Sequence, residues 1–234
     1  MTDLKSSIDE TQAPTPTPTV EDYLWLIYTL ERDGEEIIGA RLAELLEVSA
    51  PTVTVTLKRM VRDGWVILDS HKRIELTDEG KKAAKTVLRR HMLVEWLLVD
   101  MLNVPWSRLH EEAHQLEHYI SDDIEDRLAQ QLGNPLLCPH GNPVPGNEKE
   151  VLGWINLLDA PIGVDLLVKR IHEHAENRPA LMSFFEENKI LPGKLIKVIE
   201  KLTFNDTVSL EVENKSVVLG IRAAGFVFVA LKSS

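Results

Sequence analysis

The chain has 234 residues, 44% of them hydrophobic, which is enough for one large domain or for two to three small ones with apolar cores. The formal net charge of -11 argues only weakly against a nucleic-acid partner, because it averages over the whole chain. Apolar runs such as VEWLLVDML are too short to span a bilayer, no signal pattern opens the sequence, and a single cysteine, Cys138, excludes an internal disulfide. A cytoplasmic protein without a membrane partner is therefore expected.

Charge is unevenly distributed along the chain. Residues 41–90 contain 11 Lys/Arg against 7 Asp/Glu, whereas residues 91–149 contain 3 against 10, together with five of the eight histidines. A basic segment followed by an acidic, histidine-rich one indicates an anionic partner for the first and a cation for the second.

The N-terminal part predicts a tail, three helices and a hairpin. Residues 1–19, which end in TQAPTPTPT, have almost no apolar side chains and predict a flexible tail. From Val20 apolar residues recur at helical spacing, and a second helix covers IGARLAELLEV. Ser49 is a natural N-cap for a third helix, because an apolar stripe at helical spacing continues to Met60 and outweighs the strand propensity of TVTVT. WVILDSHKRIELTDEG then predicts a β-hairpin with a basic tip.

Helix, helix, turn, helix and hairpin follow one another in the order of a winged helix-turn-helix, which we assign to residues 20–78. In such modules the third helix enters the major groove and the hairpin lies on the phosphate backbone. Hydroxyls, an exposed valine and basic side chains would supply the contacts. A helical hairpin with a solvated basic face is the alternative. The predicted DNA-binding residues are Ser49, Pro51, Thr52, Thr54, Val55, Thr56, Lys58 and Arg59 on the helix and Lys72 and Arg73 at the hairpin tip.

The rest of the chain predicts a helical domain and a small β-barrel, so the expected fold is mainly α with small β parts. Two long helices are expected near 79–101 and 106–132, in a domain spanning 79–149 that ends in the loop NPLLCPHGNPVPG. Residues 150–234 predict a helix, PALMSFFEENK, and short β runs typical of a barrel. The middle helices have more apolar positions than one short helical pair can bury, so we expect them to form a homodimer. These positions are Leu93, Trp96, Leu97, Met101, Ile120, Ile124 and Leu128.

The segment HEEAHQLEH contains two overlapping zinc-peptidase motifs, H-E-x-x-H and H-x-x-E-H. A peptidase would use Glu111 as its general base, yet the segment before this helix is predicted to be another helix and not a substrate-binding strand. Any helix with histidines four and eight residues apart generates the histidine spacing of both motifs. A metal-dependent hydrolase or peptidase therefore stays an alternative.

The same histidines form a stripe that is too long for one ion, since His110 and His118 lie about 12 Å apart on a helix that rises 1.5 Å per residue. Two sites are therefore expected, one of them shared with the preceding helix. A solvated polar face is the alternative for each group. The first group is His114, Glu117 and His118, and the second is His91, Glu95 and His110.

Taken in order and at their spacing, several segments resemble the diphtheria toxin repressor family of metal-dependent transcriptional repressors. They are VEDYLWLIYTLE, ARLAELLEVSAPTVTVTLKRMVRDGWV, LRRHMLVEWLL, LHEEAHQLEHYISDDIEDRL and CPHGNPVPG, and LPGKLIKVIE with the closing β runs is similar to that family's SH3-like domain. The resemblance implies a winged helix-turn-helix, a helical dimerisation and metal-binding domain, and a C-terminal SH3-like β-barrel.

The resemblance also implies two metal sites in each chain. The implied primary ligands are Asp22, His114, Glu117 and His118, and the implied ancillary ligands are His91, Glu95 and His110. A side chain of the SH3-like domain sometimes completes the ancillary site, with Glu173, Glu176 and Asn177 as candidates. His172 and His174 are expected on a surface, and Cys138 and His140 are interpreted as loop residues outside the metal cluster.

The family pattern places methionine at position 22 in iron-type members and aspartate in manganese-type members, so Asp22 indicates manganese, whereas His114 departs from both types. Two carboxylates and two imidazoles without a thiolate fit Mn(II) first and Fe(II) next. We expect a metal-activated repressor that binds a palindromic operator in double-stranded DNA as a homodimer and controls metal-uptake genes. A metal-independent DNA binder is a further alternative.

Overall fold

A computed structural model describes residues 15–232, so the first part of the predicted tail lies outside the described residues. The chain divides into two compact units, Met1–Lys85 and Thr86–Ser234. The predicted boundaries at residues 19, 78 and 149 stay predictions. None of the helices within residues 15–232 combines the length and the apolar character that a bilayer crossing requires.

The first unit contains the three expected helices and the hairpin. The helices are α1 (Pro18–Arg32), α2 (Gly39–Leu45) and α3 (Ala50–Arg62), followed by strands β1 (Val66–Leu68) and β2 (Ile74–Leu76). Helix α1 begins two residues before the predicted start, because a proline in the first turn loses no helical hydrogen bond. Its buried face contributes Leu24, Ile27 and Leu30, which pack in the core with Leu42 and Met60.

Helix α3 is helical throughout its threonine-rich stretch, as predicted. The Ser49 side chain accepts a hydrogen bond from the Thr52 backbone N–H, so the predicted N-cap is confirmed. Val53, Leu57 and Met60 face the core. Val61, which the stripe also included, is 42% exposed because it lies at the edge of that face.

The second unit begins with the rest of α4 (Asp78–Leu102), which was predicted within one residue at each end. The expected helix 106–132 was wrong as a continuous element. It consists of two short 3-10 helices (Trp106–Arg108 and Glu117–Tyr119) and the helices α5 (Leu109–Leu116) and α6 (Asp122–Gln131). Ile120 is extended (φ -83°, ψ 117°), and the Ser121 side chain accepts from the Ile124 N–H, which starts α6 afresh.

The C-terminal part contains a six-stranded antiparallel sheet in the order β3-β8-β4-β5-β6-β7. Its strands are β3 (Ile155–Asn156), β4 (Asp165–Ile171), β5 (Leu195–Leu202), β6 (Thr207–Val212), β7 (Lys215–Gly220) and β8 (Val227–Leu231). Three helices accompany the strands: α7 (Glu173–Glu176), α8 (Pro179–Glu187) and α9 (Ile221–Ala224). This part matches the predicted SH3-like architecture, although β3 and β4 were not predicted. Its core includes Val168, Phe185 and Leu210, all with 0% exposure.

Most positions predicted for a dimer surface are only partly available for one. Leu93 is buried within the chain, because it faces inward on α4. Trp96 is half-buried and donates a hydrogen bond to the Leu137 carbonyl at 2.8 Å. Met101 and Ile124 are 59% and 48% exposed. Leu97, Ile120 and Leu128 are half-buried.

Candidate metal centre

Three of the predicted ancillary ligands meet between α4 and α5. His91 and Glu95 lie one turn apart on α4, with His91 Nε2 at 3.2 Å from Glu95 Oε1. His110, near the start of α5, places Nδ1 at 3.0 Å from the same His91 nitrogen. Glu176 joins them from α7, with Oε2 at 3.1 Å from His110 Nδ1. We call these four residues the inner cluster; each offers one ligand atom, and these atoms all lie within 4.8 Å of one another.

Of the three candidates from the C-terminal part, only Glu176 offers an atom to the inner cluster. Asn177 instead lies behind His110, with Oδ1 at 2.8 Å from His110 Nε2. An amide oxygen only accepts, so His110 Nε2 is the donor of this hydrogen bond, and Nδ1 is the nitrogen that faces the inner cluster. In metal-binding histidines one ring nitrogen typically faces the metal, while the N–H of the other donates a hydrogen bond to a group that is not a ligand. Glu173 pairs with Arg170 at 2.8 Å.

The loop 138–146 adds a group that the sequence interpretation missed. Cys138 and His140 were expected outside the metal cluster, yet they are 3% and 0% exposed. Together with Glu95 they form the loop cluster, whose ligand atoms also lie within 4.8 Å of one another. The short spacing of cysteine and histidine in CPHG was the available signal, but a Pro/Gly-rich loop gave no indication that its side chains turn inward. His172 and His174, expected on a surface, are also buried, each at 8% exposure.

Gly141 explains how the loop turns its side chains inward. Its φ is +87°, and a Cβ there would lie 2.1 Å from the Lys169 carbonyl oxygen. The loop backbone therefore lies directly on strand β4, where the Ile171 N–H donates to the His140 carbonyl at 2.8 Å. Only glycine permits both the left-handed conformation and this close approach.

The buried groups fit a cation. Glu95 Oε2 and His140 Nδ1 are buried side-chain atoms without a hydrogen-bond partner among residues 15–232, although His140 Nδ1 lies 3.1 Å from Glu95 Oε1. An unsatisfied buried carboxylate oxygen is costly, and a bound cation would remove that cost. A donor set of carboxylates, imidazoles and one sulfur suits a divalent transition metal.

The pKa shifts in the inner and loop clusters also indicate that positive charge is stabilised there. Burial lowers the pKa of His140, but the carboxylates of Glu95 and Glu176 outweigh burial and raise it to about 9. Burial raises the pKa of Glu95, yet His140 and His91 together hold it well below its usual range. Burial and the two carboxylates raise the pKa of the Cys138 thiol. Positive charge on the imidazoles thus balances carboxylates that a bound metal cation could balance instead.

Glu117 lies between the inner cluster and the predicted primary site. Its Oε1 is 3.2 Å from His114 Nδ1 and 3.7 Å from His118 Nε2, and its Oε2 is 2.5 Å from His91 Nδ1. Burial raises the pKa of Glu117, but His91 and His114 outweigh burial and lower it to about 2. We call His114, Glu117 and His118 the outer cluster.

Asp22, the remaining predicted primary ligand, belongs to α1 in the first unit, where it is half-buried. It lies close enough to the Tyr23 hydroxyl to raise the pKa of that group, after the larger effect of burial. Its role as a metal ligand stays a prediction.

Most residues predicted to contact DNA have accessible side chains. On α3, Thr56 and Arg59 are half-buried, and Arg59 donates to Thr17 Oγ1 at 2.6 Å. Thr54 Oγ1 donates to the Ala50 carbonyl at 2.9 Å, so it has a partner within its own helix. The exposed members on this helix are Ser49, Pro51, Thr52, Thr54, Val55 and Lys58.

The hairpin tip is organised by Asp69. Its Oδ1 accepts from the backbone N–H groups of His71 at 2.8 Å and Arg73 at 2.9 Å, and its Oδ2 accepts from the Arg73 side chain at 2.6 Å. These bonds keep the pKa of Asp69 below its usual range. Lys72 is exposed at the tip with φ 63°. Arg73 thus stabilises the turn as well as carrying charge at its surface.

The geometry does not support the H-E-x-x-H motif, the one that would use Glu111 as its general base. In an H-E-x-x-H site both histidines bind one ion, but His110 faces the inner cluster whereas His114 faces Glu117. Their ring centroids are 6.4 Å apart. Glu111 is exposed and is a member of none of the ligand groups described above.

Three family models match the chain. Residues 16–73 match the N-terminal DNA-binding domain of iron-dependent repressors, residues 77–146 match the metal-binding and dimerisation domain of iron-dependent repressors, and residues 155–231 match the FeoA domain.

Curated relatives and solved structures agree with these matches. The chain is 37% identical to the iron-dependent repressor IdeR of Mycobacterium tuberculosis over 191 residues, covering 77% of this chain and 83% of IdeR. It is 36% identical to the diphtheria toxin repressor of Corynebacterium diphtheriae over 195 residues, covering 83% of each. The structure of the manganese regulator SloR matches with a TM-score of 0.77 at 29% identity, covering 93% of this chain and all of SloR. A manganese-dependent transcriptional repressor in complex with manganese matches with a TM-score of 0.79 at 30% identity, covering 91% of this chain and 99% of that repressor.

Proposed function

The chain belongs to the family of iron-dependent transcriptional repressors, and from that membership we propose that it represses metal-uptake genes by binding a palindromic operator as a metal-activated homodimer in the cytoplasm. The observation that supports metal activation is the inner cluster, where two imidazoles and two carboxylates from three helices converge in a buried space. Residues 20–78 would bind the operator, residues 79–149 would form the dimer and hold metal, and residues 150–234 would supply Glu176.

We propose Mn(II) as the first effector and Fe(II) as the second. His114, Glu117 and His118 offer imidazole and carboxylate donors, which suit these ions, and Asp22 would add a further carboxylate. Zn(II) binds more tightly to most such sites, so selectivity would depend on coordination number and metal supply. The iron-dependent and manganese-dependent names of the relatives support both ions without choosing between them.

The proposed mechanism is a linkage between metal binding and DNA binding. Asp22 belongs to the helix bundle that carries α3, whereas the outer cluster belongs to the second unit. Asp22, His114, Glu117 and His118 would hold the metal, which would supply the positive charge that keeps these carboxylates and imidazoles in one arrangement. If that arrangement is the one that fits DNA, metal binding favours it, and DNA must tighten metal binding by the same factor.

The experiment that tests this function starts by selecting a binding sequence from a random duplex DNA library in the presence of Mn(II). Fluorescence anisotropy then measures DNA affinity at buffered free Mn(II), Fe(II) and Zn(II), and in chelator. We expect DNA binding to require metal. Mn(II) or Fe(II) should activate it at free concentrations within the physiological range. Full binding in chelator would instead identify a metal-independent DNA binder.

Asp22→Ala tests the primary site. We expect this variant to lose metal-stimulated DNA binding while remaining a folded dimer by analytical ultracentrifugation. Full Mn(II)-dependent binding by the variant would contradict the assignment. Glu111→Gln is the matched control, because it should leave repressor activity unchanged, whereas it would abolish a peptidase.

A further inference from the structure

Asn142 is a fully buried polar residue with three hydrogen bonds in well-defined directions. Its Nδ2 donates to the Ile171 carbonyl at 2.8 Å and to Glu176 Oε1 at 2.7 Å. Its Oδ1 accepts from Arg170 Nε at 2.5 Å. Because a guanidinium can only donate, the amide oxygen must face Arg170 and the amide nitrogen must face Glu176.

Arg170 is itself held in place. It is 5% exposed, lies 5.0 Å from the centroid of the Phe228 ring, and donates through a terminal nitrogen to Glu173 at 2.8 Å. One guanidinium therefore orients the Asn142 amide and engages a carboxylate of α7 at the same time. The planar guanidinium of arginine holds its N–H donors in fixed directions, which suits two simultaneous buried contacts.

These contacts separate two glutamates that look equivalent in the sequence. Glu173 and Glu176 lie three residues apart on α7, and both are buried. Arg170 directs Glu173 into an ion pair. Asn142 binds one oxygen of Glu176, and the other oxygen, Oε2, stays at 3.1 Å from His110 Nδ1 in the inner cluster.

We propose that Asn142 is a positioning residue, oriented by Arg170, that holds Glu176 as the metal ligand from the C-terminal domain and leaves Glu173 outside the coordination sphere. The proposal rests on the inner cluster being a metal site. It assigns a role to the asparagine of CPHGN, which approaches the cluster from the loop while the ligand approaches from α7. The metal site thereby joins the helical part of the second unit to its sheet.

The test measures metal binding directly on the full chain, without DNA. Isothermal titration with Mn(II) gives the number of ions and their affinities, and the visible absorption of bound Co(II) reports ligand number and geometry. Asn142→Ala removes the bond to Glu176, and Asn142→Asp keeps the size and the Arg170 contact but cannot donate. We call the ion of the inner cluster the second ion. We expect both variants to bind it about 10- to 100-fold more weakly, with an altered Co(II) spectrum, because loss of a hydrogen-bond partner of a metal ligand has that effect on metal sites.

Matched variants separate positioning from structural damage. Asn147→Ala removes another asparagine that donates within the same loop, to the Val144 carbonyl, and should bind both ions as the unchanged chain does. Glu176→Gln should weaken the second ion at least as much as Asn142→Ala, whereas Glu173→Gln, which disturbs Arg170 but removes no ligand, should weaken it less than Glu176→Gln does. Thermal melts in chelator establish that each variant is folded at the titration temperature.

Each outcome decides one claim. Unchanged affinity and spectrum in either folded Asn142 variant would overturn the positioning role, and equal losses in Glu173→Gln and Glu176→Gln would overturn the selection of Glu176. Loss of both ions in parallel would indicate general structural damage and would also count against positioning. If Glu176→Gln itself has no effect, or the unchanged chain binds one ion only, the proposed second centre fails, which is a different result.

Discussion

Glu117 contacts both histidine groups, one through each of its oxygens. Oε2 binds His91 of the inner cluster, and Oε1 lies near His114 and His118 of the outer cluster. Glu117 can therefore bind an ion with one oxygen while its other oxygen orients a histidine that binds a second ion. That arrangement would make occupancy of one cluster favour the other.

Glu117→Gln should weaken metal binding at both clusters. Burial lowers the pKa of His91, and the negative charge of Glu117, which the amide cannot supply, is a main reason that this pKa nevertheless lies well above its usual value. We expect a loss of at least about tenfold at the outer cluster, and about 10- to 100-fold at the inner cluster through misorientation of His91. Isothermal titration measures both losses. Glu111→Gln, on the exposed face of α5, is the control, and a loss confined to one cluster would contradict the shared role.

For the metal site, the sequence was enough to propose candidate ligands, but it was not enough to predict which side chains contact one another. His91 and Glu95 share a face of α4 because of helical spacing, and His110 lies beside them as expected, although the role of the three as metal ligands stays a prediction. Glu176 remained one of three candidates, because the choice between it and Glu173 depends on contacts of Arg170 and of Asn142, and Asn142 lies 34 residues from Glu176 in the sequence. Cys138 and His140 were misplaced, because a loop has no periodicity from which side-chain direction can be read.

The short 3-10 helix before α5 is an element held by the C-terminal part. Glu186, on α8, accepts from the backbone N–H groups of Trp106 at 3.0 Å and Ser107 at 3.2 Å, and from the Ser107 hydroxyl at 2.5 Å. The first N–H groups of a helix have no acceptor within the helix, and the Glu186 carboxylate accepts from two of them. Its negative charge also complements the positive end of the helix dipole.

Glu186→Gln should destabilise the second unit by about 1–2 kcal/mol, since the amide replaces a charged acceptor for two N–H groups and a hydroxyl. We also expect weaker metal binding at the inner cluster, because His110 lies just beyond this helix start. Urea denaturation monitored by tryptophan fluorescence measures the free energy of unfolding. Glu187→Gln, at the neighbouring exposed position, should stay within about 0.5 kcal/mol of the unchanged chain.

At the scale of elements, local signals predicted most of the fold. The N-cap at Ser49, the hairpin and the apolar periodicity of α1 and α3 are all local signals, and the elements that they predicted are present, with Val61 of the α3 stripe exposed. The break at Ile120 was not predicted, because the apolar and acidic residues around it suit a continuous helix and Ser121 is a weak signal inside such a stretch. Strand β4 was missed because a short apolar run such as DLLVKRI is ambiguous until neighbouring strands pair with it.

For the molecule as a whole, the clustered charges predict that stability in the absence of metal depends on pH in both directions. His140, with its pKa raised from 6.5 to about 9, contributes stability in full below pH 6.5 and loses it as the pH rises toward 9. Glu117, with its pKa lowered from 4.5 to about 2, contributes stability in full above pH 4.5 and loses it as the pH falls toward 2. In chelator both contributions are complete only between these limits.

Urea unfolding across this pH range, with chelator and with Mn(II), measures the effect. We expect the free energy of unfolding in chelator to be greatest between about pH 4.5 and 6.5. Mn(II) should move the maximum upward, because ligand histidines must lose their protons to bind metal. A stability in chelator that rises steadily from about pH 5 to pH 9 would contradict the assigned charge arrangement.

The contact between Gly141 and strand β4 separates two properties that usually change together in a metal site. The backbone of the loop is fixed by exclusion, since even one methyl group would collide with the Lys169 carbonyl oxygen. Cys138 and His140, which both precede that contact in the sequence, offer donor atoms of two kinds, a sulfur and an imidazole nitrogen. The positions of these side chains therefore depend on the sheet, through the loop backbone, whereas their donor atoms depend on which residues stand at 138 and 140. Exchanging sulfur or imidazole for oxygen at these two positions would therefore change the donor set of the loop cluster while the contact of Gly141 with the sheet stays the same.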